Sequence, residues 1–154
     1  MDIINALSVS FLLSVAFMSG VFFIGRRIKR YDVIDMAWGI VFIVIALGVL
    51  IQSTISHQSN LHWGQVLMTA LVAIWGSRLA THIGHRLQRT SSEDPRYVEL
   101  RSKWKGDDME RNIFLRIYMV QAVLAVIIAL PVLFVNSSQD IVVPAFLIAG
   151  AIVW

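Results

Sequence analysis

From Met36 to Ser77 the chain carries no Asp, Glu, Lys or Arg, and Ile, Val, Leu, Ala, Met and Trp dominate. A water-facing surface belongs to chains with about 25% charged residues. A charge-free run of this length therefore faces protein or lipid. The polar segment "QSTISHQSN" (52–60) divides it into two apolar stretches, about 33–51 and 61–80. Each is near the roughly 20 residues that cross a bilayer core as helix. Two further stretches of the same kind lie at about 3–25 and 113–135, with Pro131 placed to kink the latter. The run "IVVPAFLIAGAIVW" starts at Ile141 and reaches only about 21 Å as helix, so 141–154 reads as a partial fifth span, cut inside a helix. The expected fold is all-α: one integral membrane domain over 1–154, a polytopic transmembrane helix bundle with four full spans and a partial fifth.

Charge placement predicts the orientation. Asp2 precedes the first apolar run and "RRIKR" follows it, the reverse of a secretory signal, so that run reads as an uncleaved span. The chain has 13 Lys and Arg. Four lie between Arg26 and Arg30, and the rest run from Arg78 to Arg116, at or beyond the end of the third span. All fall on one side of a serpentine chain, which the positive-inside rule makes cytoplasmic. The N-terminus is thus expected outside and the loop of about 86–112 inside, in a bacterial inner membrane. The pI near 9.7 becomes a topology signal, and nucleic acid is not an expected partner; membrane lipids are. The absence of cysteine removes disulfides, thiolate metal sites and cysteine nucleophiles.

Within the basic loop, Asp94 followed by Pro95 predicts an N-cap and a first helical residue, opening a surface helix that runs to about Lys105 and stops at Gly106. Asp107 and Glu110 have the spacing of a capping box before the fourth span.

The third span ends in "WGSRLATHIGHRLQR" (75–89). Trp75, Arg78, His82, His85 and Arg89 follow one another at three- and four-residue steps, so they share one helical face, flanked by Arg86. Cations that snorkel at a helix C-terminus account for Arg86 and Arg89. Arg78 sits about 12 Å further into the membrane at helical rise, where an ionisable group needs a partner. With a hairpin turning near Ser56, Asp35 lies at equal depth on the adjacent helix, which predicts a structural Asp35–Arg78 ion pair; a simple capping role for Asp32 and Asp35 at the start of the second span stands beside it. His82 and His85 alone do not complete a metal site, which takes three or four ligands, and His57 and His62 lie at the other membrane face; no metal is expected. A third reading joins Arg78, His82, Arg86 and Arg96 with Trp38, Trp75 and Tyr97 as a site for an anionic nucleotide, the guanidinium groups clamping phosphates and the rings stacking. The plainer alternative, cations acting only as topology determinants, remains open beside it.

The segments "YDVIDMAWG" (31–39), "WGSRLATHIGHR" (75–86) and "SEDPRYVELRSKW" (92–104), in that order and with "QAVLAVIIALPV" in the fourth span, resemble the domain-of-unknown-function 1295 family, polytopic proteins related to the steroid 5-alpha-reductases. The resemblance covers roughly residues 30–135. It implies a membrane-embedded oxidoreductase taking NADPH from the cytoplasmic side to reduce a carbon–carbon double bond in a lipid-like substrate. On that resemblance Arg78, Arg86 and Arg96 hold the cofactor phosphates with His82 and Tyr97 nearby, Asp35 is structural, and no residue is assigned to catalysis. It also implies a further C-terminal half, so the expectation is an N-terminal portion that is not active by itself. Span two lacks the Gln-Glu pair of the steroid-reducing members, which argues against steroids as substrate. The alternative from another class is a non-catalytic membrane scaffold or small transporter subunit.

Overall fold

The computed structural model describes residues 2–57, 61–90, 92–104 and 108–138. Its first helix, α1 (Ile3–Ile28), buries Ala6, Ser10, Ser14, Met18, Val21, Phe22 and Gly25, positions that recur every three or four residues and so form one face. The two serines keep that face narrow and polar-satisfied. Ser10 returns its hydroxyl to the Ala6 carbonyl at 2.6 Å, and Ser14 donates across to the Ala122 carbonyl at 2.9 Å. Lys29 then adopts the left-handed conformation (φ 58°), and the Arg30 N–H closes back on the Gly25 carbonyl at 2.9 Å, ending the helix in a tight turn.

The second helix, α2 (Val33–His57), runs through "QSTISH" rather than stopping at residue 51. Its polar end stays helical because Thr54 Oγ1 satisfies itself on the Leu50 carbonyl at 2.9 Å and Ser53 is buried. The third, α3 (Trp63–Arg89), opens where Gln65 accepts the His62 N–H at 3.2 Å and also donates to the carbonyls of Asn136 and Ser138. Gly39 and Gly76 bring α2 and α3 together: a Cβ on either would strike the other's carbonyl oxygen. Small residues at a crossing let backbones approach closely, which drives helix association in lipid.

The short helix α4 (Pro95–Ser102) has the expected cap, Asp94 accepting the Arg96 N–H at 3.0 Å, but it ends at Ser102. Its expected stop at Gly106, the Asp107 partner of the capping box and the partial span 141–154 lie outside the described residues. The fourth span is built in pieces: α5 (Asp108–Ile113), a π-helical turn (Phe114–Met119), α6 (Val120–Ile128) and, after a break at Ala129, α7 (Leu130–Ser137). The break falls two residues before Pro131, as the proline ring and its missing N–H require. Within the π turn Tyr118 points inward, fully buried, and donates to the Tyr31 carbonyl at 3.0 Å.

Among the described residues, four helices are long and apolar enough to cross a membrane: Ile3–Ile28, Val33–Ser56, Trp63–Arg89 and Asp108–Ile128. The chain is a multi-span α-helical membrane protein. Its core lies along α2, where Ile34, Ala37, Val41, Phe42, Ile45 and Val49 are buried between α1, α3 and the fourth span. At one end Phe22, Tyr31, Phe114 and Tyr118 form an aromatic cluster, with Phe22 5.1 to 6.1 Å from each of the others. At the other end Asn136, fully buried, donates to the Ala46 carbonyl and to Thr69 Oγ1, both at 3.0 Å, and so fastens α7 to α2 and α3.

Candidate functional site

The ends of the helices that carry the basic residues meet on one side of the bundle, and a buried lattice fixes them there. Asp32, 1% exposed, takes both guanidinium arms of Arg30 (2.9 and 3.2 Å) and the backbone N–H of Asp94 (3.0 Å). Arg30 spends its remaining donors on the carbonyls of Leu87 (3.1 Å), Thr90 (2.9 Å) and Ser92 (3.3 Å). Glu93 accepts the Tyr31 N–H at 2.6 Å and pairs with Arg101 at 2.9 Å. Two loops that are far apart in sequence are thereby locked as one unit, because each buried charge has an opposite charge beside it and Asp32 and Arg30 are also hydrogen-bonded to both loops. Sequence reasoning did not foresee that Arg30, Asp32, Glu93 and Arg101 form this lattice. The signal that could have found them is Arg30-x-Asp32, a charge pair within two residues at the mouth of a span.

On this unit sits the Asp35 cluster. The Tyr97 hydroxyl donates to Asp35 Oδ1 at 2.6 Å, and Arg96 reaches Oδ2 at 3.2 Å with Arg86 behind it at 3.9 Å. Burial, then the hydrogen bond to Asp35, push the Tyr97 hydroxyl above its ordinary pKa and keep it a neutral donor. Arg96 also chelates Asp94 at 2.9 and 3.1 Å, and this guanidinium bond together with the Arg96 N–H holds the Asp94 carboxyl down to about 2.

The expected Asp35–Arg78 ion pair does not form. Among the described residues no acidic oxygen lies within 4.0 Å of Arg78, and Asp35 is taken by Arg86, Arg96 and Tyr97. The reason is register. Because α2 continues to His57, the hairpin turns later than Ser56, Gly39 faces Gly76 and Ala80, and Met36 faces Gly84. Asp35 therefore stands level with Arg86, and Arg78 lies about 12 Å further along α3.

Among the described residues, the outer face of α3 is open. One groove of about 490 Å³ is lined by His82, His85, Arg86, Arg89 and Thr90. A second, about 440 Å³ and deeper along the helix, is lined by Trp75, Arg78, Leu79 and His82. His82 belongs to both, so the two are contiguous. Of the residues singled out from the sequence, the structure brings Trp75, Arg78, His82, His85, Arg86 and Arg89 into these grooves. Arg96 is held against Asp94 and Asp35 instead, and Tyr97 is 8% exposed with its hydroxyl engaged, so neither lines a groove and both contact Asp35, which faces Arg86. Trp38 stands behind the deeper groove: it meets Phe42 edge-on at 5.5 Å, and Phe42 meets Trp75 at 5.4 Å.

No curated protein and no solved structure matches the chain. Residues 21–154, which include the Asp35 cluster and both grooves, match the family described as "Protein of unknown function (DUF1295)", and the chain belongs to that family.

Proposed function

We propose that this membrane protein turns its basic end to the cytoplasm, binds NADPH along the outer face of α3 and reduces a carbon–carbon double bond of a lipid-like substrate. The observation that carries this reading is the exposed row of Arg78, His82, His85, Arg86 and Arg89 along two contiguous grooves. Among the described residues, only Arg86 of that row has an acidic oxygen within 4.0 Å, and at 3.9 Å that contact leaves most of its donors available. The residues fit the cofactor in chemistry and in reach. From His82 to Arg89 is about 10 Å along the helix, a line of donors long enough for the cofactor's phosphates. Arg86 and Arg89 supply forked donors for phosphate oxygens, and His85 and His82 continue the donor line toward the deeper groove. Asp35, held by Tyr97 and Arg96, restrains Arg86 without neutralising the groove. Bound NADPH would supply the hydride; the chain's own residues bind it and fix its orientation.

The resemblance to reductase-like membrane proteins supports the reaction type. NADPH titration of the purified protein, followed by tryptophan fluorescence, tests the site. Arg86→Ala is expected to weaken binding roughly tenfold or more, the scale of one charged hydrogen-bonding group. Unchanged affinity in that variant would remove the assignment.

A further inference from the structure

We infer that the deeper groove, beside Trp75, Arg78, Leu79 and His82, is a bilayer-facing site for a single-chain anionic amphiphile, with its carboxylate or phosphate on Arg78 and its chain along Trp75 and Leu79. This names the substrate class of the site proposed above and rests on that reading for the reaction, though not for the binding.

Three observations converge. Arg78 is exposed, about 12 Å along α3 from Arg86, and among the described residues has no acidic oxygen within 4.0 Å. A guanidinium at that depth calls for an anion, and an anion reaches it most readily on an apolar tail, which carries the headgroup into the bilayer. Second, among the described residues only 11% of the apolar stretch of α3 is buried, which leaves this face of a membrane-spanning helix to the hydrocarbon rather than only to water. Third, the wall is rigid. The edge-on series Trp38, Phe42, Trp75 fixes the indole, Phe42 is 5% exposed, and the Gly39–Gly76 contact holds the two helices behind it. A groove of about 440 Å³ is of small-ligand size, suited to one chain and tight for a two-chain phospholipid. His82, shared with the outer groove, places the bound headgroup next to the cofactor phosphates, and the chain beyond it beside Trp75.

The test uses the protein in nanodiscs of zwitterionic phosphatidylcholine, without cofactor, and dibrominated stearate as a quencher of tryptophan fluorescence. We expect saturable quenching that Trp75→Phe removes, that the methyl ester of the same chain does not reproduce, and that acetate, a headgroup without a chain, does not compete away. Arg78→Gln should weaken binding on the order of tenfold, and Arg78→Lys should retain most of it. Repeating the titration in phosphatidylglycerol nanodiscs separates the sources: retained quenching supports the single-chain acid. Quenching displaced there shows bilayer phospholipid in the groove and overturns the single-chain assignment. Equal quenching by acid and methyl ester, or unchanged binding in Arg78→Gln, overturns the inference as well. NADPH affinity in the same preparations stands or falls independently, so failure of one reading does not pass for failure of the other.

Discussion

Helices α2 and α3 are partners in one hairpin, joined at Gly39 and Gly76, yet they do opposite work. The most apolar stretch of α2 has a mean hydropathy of 2.5 and is 44% buried, whereas the corresponding stretch of α3 has 1.4 and is 11% buried. Residues of α2 are enclosed by α1, α3 and the fourth span, and its acidic positions, Asp32 just before it and Asp35 in its first turn, are both bonded. Buried residues of α3 are Gln65, Thr69 and Gly76, the ones that hold it to its neighbours. The rest of its surface carries the cations. Where burial is complete, a side chain is committed to the fold; where it is slight, the same helix has donors available for a ligand.

That contrast can be broken most severely at the locked side. Asp32→Ala leaves Arg30 without its carboxylate and the Asp94 N–H without its acceptor, and is expected to cost about 3 kcal/mol in reversible unfolding. Next, Gly39→Ala forces a methyl group onto the Gly76 carbonyl and should cost about 2 kcal/mol, read in the same assay, by pushing the hairpin apart. The α4 cap gives a smaller and pH-dependent effect. Because Asp94 is held below its ordinary value, to about 2, its contribution is complete above about pH 4 and is lost as pH falls toward 2. The protection of the Arg96 and Tyr97 amides, taken relative to their intrinsic exchange at each pH, should fall over that interval while the apolar spans stay protected. Smallest of all on stability is Arg78→Gln. It removes no ion pair among the described residues and should shift unfolding by no more than about 0.5 kcal/mol, although ligand binding suffers. A large loss of stability there would erase the distinction between the two helices.

The sequence made the spans legible because hydropathy is averaged over about twenty residues, and it gave the α4 cap because Asp94-Pro95 is a local signal. It misplaced the register for the same reason that it found the spans. "QSTISH" reads as loop by polarity, but its hydroxyls can bond the preceding turn, so α2 stays helical through it and the hairpin turns late. A shift of that size leaves the span assignment intact but moves Arg78 away from Asp35. The π turn at Phe114–Met119 and the lattice around Asp32 were not legible either, since each depends on a partner distant in sequence: Tyr118 on the Tyr31 carbonyl, and Asp32 on the Asp94 N–H. For the site, the helical face carrying Arg78, His82 and Arg86 followed from periodicity alone. The withdrawal of Arg96 and Tyr97 from the groove to Asp35 required the fold.

The central claim is that the outer face of α3 from His82 to Thr90 is a cytoplasm-facing binding wall, and one labelling measurement addresses it directly. The chain has no cysteine, so Thr90→Cys, in the outer groove, introduces a single reactive position. In membrane vesicles, an impermeant maleimide is predicted to label this position only from the cytoplasmic face, and NADPH is predicted to protect it. Labelling from the opposite face, or labelling that NADPH leaves unchanged, would contradict the account.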